Sequence, residues 1–423
     1  MRLNKILRMG LLLLCLSPVA LVGAATVSIS CGAVGVELEV CREGAEAWSD
    51  KTGHEIRIIS TPNSTTDRLA LYQQLLAAGS ADIDVFQIDV VWPGILQEHF
   101  IDLKQHIEPE RLRAQFENVV DANRVDGRLV ALPWFVDAGL LYYRKDLLDK
   151  HGFEVPETWE ALTHTAEAIQ KAERAAGNRN LWGFVWQGRA YEGLTCNALE
   201  WVHSSGGGNI VNDQGEVIIN NPAAVEAIDR AAAWIGTITP LGVLNYEEEQ
   251  SRGVFQSGRA LFMRNWPYAW SLVNGGDSPV RGKVGITALP RGKEGVHTGT
   301  LGGWQLAVSR YSEVREEAID LVRYLSSRDE QKRRAIRAGY NPTWPDLYDD
   351  PEVRAAHSIA PTLRKALAGA VVRPSDVTGR SYNQVSNTFW SAVHATLAGK
   401  GDAAGNLAFL ERRLKRLRRH RGW

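Results

Sequence analysis

From residue 27 to residue 89 short apolar runs alternate with helix-like stretches, and this alternation constrains the fold more than any other feature of the chain. Val27-Ser28-Ile29-Ser30 reads as a strand, Glu37 to Asp50 as a helix stopped near Gly53, and Glu55 to Ser60 as a second strand. Thr65 to Ala78 reads as a helix capped by Ser64 or Thr65 and ended at Gly79, followed by a third strand from Asp84 to Ile88. Strands separated by helices imply a parallel sheet with helices on both faces, an α/β fold. In such sheets the ligand crevice lies beyond the carboxyl ends of the strands. Asp89 sits just past the third strand and Glu37 in the loop leaving the first, so both carboxylates fall on one rim.

The stretch from Leu129 to Arg144, LVALPWFVDAGLLYYR, is apolar and extended but carries Pro133. A proline inside a strand points to a sheet edge or to a crossover between domains. Thr158 to Ala175 is an amphipathic helix capped by Thr158, with Ala161, Leu162, Ala166 and Ile169 on one stripe. Asn209 to Asn220 resembles a β-hairpin turning at residues 212–215, and Asn221-Pro222 opens a further helix. Val284 to Leu289 and Gln305 to Ser309 read as strands; Glu313 to Ser326, Asp329 to Ala338 and the stretch from Val353 read as helices. At the end of the chain Leu407, Leu410, Leu414 and Leu417 share a helical face, crowded by seven basic residues between Arg412 and Arg421. A basic amphipathic helix can be a membrane-surface element, but more often it packs its leucines on the body and leaves its charges in water.

The first residues are read apart from the fold. Arg2, Lys5 and Arg8 precede an apolar run from Leu11 to Val22 and the small residues Gly23, Ala24 and Ala25, the pattern of a cleaved signal peptide over 1–25. No later segment has 18 consecutive apolar residues, so a soluble exported protein is expected, with a periplasmic home. The remaining length suits two or three domains. A formal net charge of -1 gives no electrostatic footprint for nucleic acid. Four cysteines cannot build a disulfide scaffold; Cys31 and Cys41 could pair outside the cell, and Cys196 reads as a buried helical thiol. The sequence holds no phosphate loop of the G-x-x-x-x-G-K-[ST] type, no H-E-x-x-H or C-x-x-C zinc signature and no G-x-S-x-G elbow. No metal or cofactor is therefore expected. Fourteen tryptophans are many for a chain of 423 residues, and tryptophan favours ligand faces and interfaces.

Five segments carry a resemblance: FVDAGLLYYRKDLL (135–148), LWGFVWQGRAYEGLTC (181–196), RNWPYAW (264–270), TLGGWQLAVS (300–309) and VRPSDV (372–377). They resemble the extracellular solute-binding proteins of ABC importers, in the maltose-binding-like branch, and within it the trehalose/maltose-binding group. The resemblance implies a type II periplasmic-binding fold, with two α/β lobes joined by a multi-strand hinge around the ligand cleft. It places the N-terminal lobe at 26–135 and 291–342 and the C-terminal lobe at 136–290 and 343–423. One hinge strand is expected near Pro133–Ala138 and the return near Leu289–Arg291. The implied function is non-catalytic: capture of an α-linked glucosyl disaccharide, trehalose first and maltose second, for delivery to a membrane permease by a monomer.

Each site residue follows from the same resemblance. Glu37 and Asp89 would accept from sugar hydroxyls, Arg68 would donate in a fork, and Asp137 would reach the ligand from the hinge. Trp266 and Trp304 would cover the C–H faces of the sugar, with Tyr268 beside them. Gly302 and Gly303 would let backbone amides approach, and Arg373 would clamp from the other lobe. Phe135 stands where the related archaeal pattern has tyrosine, so one hydroxyl contact would be missing. Trp134, Trp182 and Trp186 read as core or as support for the site. Sucrose, a glucosylated polyol and a longer glucan are alternative ligands, and a secreted glycosidase using two of the carboxylates is the alternative of another class.

Overall fold

The structure is a computed structural model that describes residues 23–356 and 359–423; the expected leader lies almost wholly outside these residues. Its frame is two sheets, each with its own core. The first takes strands in the order Glu55–Ser60, Thr26–Cys31, Val85–Asp89, Leu301–Val308, Leu132–Ala138. The first three run parallel, as the alternation requires, with the helices Glu37–Thr52 and Thr65–Ala77 between them. Leu301–Val308 lies antiparallel to both its neighbours, so the sheet is mixed rather than parallel throughout. The physical reason is the direction of entry. This strand comes back from the second sheet and joins the first at the rim where Val85–Asp89 ends, with Trp304 opposite Asp89.

Pro133 sits as its chemistry demands. Its strand is at the sheet edge, and the register shifts between Trp304 and Gln305, the residue paired with Pro133. The chain then passes through Ala138 and Gly139 directly into the second sheet, ordered Val284–Ala288, Leu140–Arg144, Ala260–Asn265, Trp182–Val185. The return crossing lies beside the outward one, where Gly139 N–H donates to the Thr300 carbonyl at 3.3 Å and Leu301 pairs with Ala138. Arg291, where the sequence places the return, still bridges Thr158 on the side of the second sheet, and the chain joins the first sheet only at Leu301. Gly139 is required here because a Cβ would collide with the Glu200 carboxylate.

The caps are those the sequence announces. The Ser64, Thr158 and Asn221 side chains accept from the backbone amides of Asp67, Ala161 and Ala224, at 3.3, 3.1 and 3.0 Å. The hairpin expected over Asn209–Asn220 shrinks to a turn and one bridge, Val211 to Val217, because the Asn212 side chain takes the amides of Gln214 and Glu216. Cys31 and Cys41 are disulfide-bonded, tying the end of the first strand to the first helix on either side of Glu37. Cys196 is the buried helical thiol expected.

The tryptophans correct the composition argument. Trp48, Trp92, Trp134, Trp159, Trp186, Trp201 and Trp234 are all fully buried, so half of the fourteen fill cores rather than ligand faces. Around the second sheet Trp186 meets Trp201 edge-on with ring centroids 4.8 Å apart, and Trp234 packs on both Trp159 and Trp201. The C-terminal helices Tyr382–Leu397 and Ala403–Arg421 complete this core through Val385, Phe389, Leu407, Leu410 and Leu414.

Candidate functional site

The two crossings leave a narrow cavity of about 70 Å3 between the rim of the first sheet and the second lobe. Nine of the ten expected site residues line it: Glu37, Asp89, Asp137, Trp266, Tyr268, Gly302, Gly303, Trp304 and Arg373. Arg68 does not. Its guanidinium is fully buried behind Trp304, 4.3 Å from the ring centroid, with Nε and Nη2 donating to the Pro62 carbonyl at 3.1 and 3.0 Å. The expected fork to a ligand is used on the backbone instead, and Arg68 serves as the support of a ring.

The first wall is built from the sheet rim. Glu37 opens its helix and accepts from Gln87 Nε2, while Gln87 Oε1 takes the Gly32 amide at 2.6 Å. Gly32 is tight against the Glu37 carboxylate and Arg68, so no side chain fits there. Asp89 ends its strand and accepts from the Val91 amide at 3.1 Å. Trp304 stands beside it, edge-on to Trp92. Asp137 lies one residue before the end of the crossover strand, opposite Gly302, and accepts from Asn341 Nδ2 at 3.0 Å. Burial pushes its carboxyl up to about 7, so close to neutral pH it is divided between acid and carboxylate. Phe135 carries no hydroxyl, but Tyr340 packs against it with ring centroids 4.8 Å apart and brings a phenol to the same wall.

The second wall begins with Trp266, which lies on Arg264 at 3.9 Å and donates Nε1–H to Glu248 Oε1 at 3.3 Å. The Gly302 position is glycine because the Trp266 ring occupies the space of a side chain. Tyr268 donates its hydroxyl to Glu249 at 2.7 Å and packs against Gly35 of the first lobe. Arg373 joins the walls: Nη2 reaches Asp89 Oδ1 at 2.9 Å and Nη1 reaches Glu192 Oε1 at 2.8 Å. Glu192 also accepts from the Tyr382 and Ser386 hydroxyls. Burial raises its pKa and the charge of Arg373 opposes the rise.

Glu192, Glu248, Tyr340 and Cys196 line the cavity but are absent from the expected set. A signal for Glu192 did exist: it is the acid of Tyr-Glu-Gly, in the first turn of its helix, within the segment 181–196. Cys196 contributes as an inert wall, its thiol pushed up to about 12 by burial.

Chemically, the cavity offers two partly exposed indoles, several carboxylates and one guanidinium already held by two of them. It suits a neutral molecule with apolar faces and hydroxyl edges. Among the described residues no cluster of His, Cys, Asp and Glu could hold a metal ion. Two sheet-containing lobes around such a cleft define a type II periplasmic-binding fold. Comparison with known proteins adds the family: the bacterial extracellular solute-binding proteins match residues 40–332, and the chain belongs to them. A probable ABC transporter-binding protein of Deinococcus radiodurans is 47% identical over 401 residues, 95% of each chain. The maltose-bound T. maritima MalE3 superposes with a TM-score of 0.89 at 40% identity, covering 93% of this chain and 100% of that one. The maltodextrin-binding protein MdxE of Bacillus subtilis is 24% identical over 283 residues, 66% of this chain and 62% of its own.

Proposed function

We propose that this protein is the periplasmic sugar-binding component of an ABC importer. It takes an α-linked glucosyl disaccharide, trehalose or maltose, between its lobes and presents it to a membrane permease, without chemistry of its own. The observation that carries the reading is the pair of indoles, Trp304 on one lobe and Trp266 on the other, facing one cavity edged by Asp89, Asp137, Glu37 and Arg373. Indoles cover the C–H faces of a pyranose, while carboxylates and Arg take its vicinal hydroxyls. Arg373 is neutralised by Asp89 and Glu192, so the cleft has little positive charge left for a phosphate or a carboxylate. The likeness to a maltose-bound protein at 40% identity supports the same class of ligand.

The test is a thermal-shift and calorimetric panel, because a ligand that binds only the folded state stabilises it by mass action. Trehalose or maltose should raise the melting temperature, with no glucose released on long incubation. Amino acids, inorganic phosphate and divalent metals should leave it unchanged. Tight binding of phosphate with no sugar binding would contradict the proposal, and steady release of glucose would transfer it to the hydrolases.

A further inference from the structure

The six basic residues from Arg412 to Arg419 play no part in the cleft, and the packing of the last helix shows what they are left to do. Ala403–Arg421 buries Leu407, Leu410 and Leu414 against the second core. Its end is pinned: Arg418 Nη2 donates to the Gln214 carbonyl at 3.1 Å and Trp423 Nε1 to the Gly215 carbonyl at 3.1 Å. The opposite side is thereby held outward. Arg412, Arg416 and Arg419 lie there at i, i+4 and i+7, with Lys415 among them, all exposed. Among the described residues no carboxylate lies within ion-pairing distance of Arg412, Arg413, Arg416 or Arg419; the one ion pair of this helix is Lys415 with Glu411. Phe409 is 53% exposed beside them, with the Arg412 and Arg413 guanidinium groups 6.0 and 5.7 Å from its ring.

A groove of about 550 Å3 runs between this helix and Tyr382–Leu397. Asn383, Asn387 and Thr388 line one side and Arg413, Arg416 and His420 the other, with no acid among the lining residues. Amide and hydroxyl donors facing free guanidinium groups form a receptor for a singly or doubly charged oxyanion. We propose that this face docks the protein on a membrane surface through the phosphate groups of anionic phospholipids. Arg412, Arg416 and Arg419 meet the surface charge, a headgroup phosphate enters the groove at Arg413, and Phe409 enters the acyl boundary. A cationic helix face flanked by an exposed aromatic is the arrangement that binds in the plane of an anionic interface. Phe409 favours this occupant, because its exposed ring can enter the acyl boundary while the neighbouring guanidinium groups stay at the phosphates. The inference goes beyond the sugar reading and does not depend on which sugar the cleft holds.

The experiment is flotation of the full chain with vesicles of phosphatidylcholine alone or with about 30 mol% phosphatidylglycerol, at low and at high salt. Partition onto the anionic vesicles should be at least about tenfold stronger and should fall with salt. The R412Q/R413Q/R416Q/R419Q variant should lose most of that preference and F409S a smaller part, both melting as the unaltered chain does. The pair R412E/R416E gives the same reading should the fourfold variant fold poorly. Four results would each overturn the proposal: equal partition onto both vesicles, partition undiminished in the variants, displacement by millimolar inorganic phosphate, or tighter binding to a single-stranded RNA than to the vesicles.

Discussion

Trp304 and Trp266 face the same cavity and each rests on a buried arginine, but the two supports differ in kind. Behind Trp266, Arg264 is bonded through Nε and Nη2 to the Glu200 carboxylate and through Nη1 to Gln187. Glu200 in turn accepts from the Thr300 amide at 2.9 Å, just before the strand that returns between the lobes. Behind Trp304, Arg68 has a neutral carbonyl as its acceptor, and its Nη1 lacks a hydrogen-bond partner. One ring is therefore tied by a fully buried ion pair to the hinge, while the other is held within its own lobe by neutral contacts. A sugar pressed against Trp266 bears on a group that also holds the crossing. A sugar pressed against Trp304 does not.

The comparison breaks most visibly in stability. Glu200→Ala leaves Arg264 buried and uncompensated, which typically costs about 3–5 kcal/mol. Arg68→Met removes hydrogen bonds to one carbonyl and should cost about 1–3 kcal/mol. Urea denaturation of both sugar-free variants measures the gap, and equal losses would remove the distinction. The next largest effect is on affinity. Asp89→Asn takes one of the two carboxylates from Arg373 and a charged acceptor from the ligand, a loss of about 1.5–3 kcal/mol, or 10–150-fold, in a calorimetric titration. Trp304→Ala and Trp266→Ala should each weaken binding by about tenfold or more, and Trp266→Ala should also slow or impair closure because it uncouples the ring from the hinge.

Taken per pH unit, the smallest effect is on pH dependence. The Asp137 carboxyl has a pKa of about 7 in the folded protein against 3.8 as its ordinary value. The folded state therefore binds more protons than the unfolded chain between these limits. Stability should fall as pH rises from about 4 to about 7, by at most about 1.4 kcal/mol per pH unit. Asp137→Asn should flatten that slope, read from urea midpoints at several pH values, whereas an unchanged slope would place the titration elsewhere.

What the sequence discloses and what it hides divide along contact distance. The alternation of strands and helices, the caps at Ser64, Thr158 and Asn221, and the edge position of Pro133 depend on neighbours in the chain and could be read directly. Asp89 and Glu37 could be placed on one rim because the carboxyl ends of parallel strands share an edge. Arg68 was expected at the cleft and lies behind Trp304, because residue type and helix position do not reveal that the Pro62 carbonyl lies within its reach. Glu192 was missed because its partners Arg373, Tyr382 and Ser386 lie more than 180 residues further along. The antiparallel insertion of Leu301–Val308 depends on a return crossing that no local pattern marks.

The most direct test of the account is whether a sugar draws the two lobes together. The structure shows them in contact, with Arg373 on Asp89 and Tyr268 against Gly35. A ligand shifts an open–closed equilibrium only through contacts that differ between the states, and contacts to both indoles exist together only when the cleft is shut. Small-angle scattering of the protein with and without saturating trehalose or maltose reads this shift. The account predicts a smaller radius of gyration with sugar, approaching that of the structure. An unchanged radius alongside calorimetrically confirmed tight binding would contradict it.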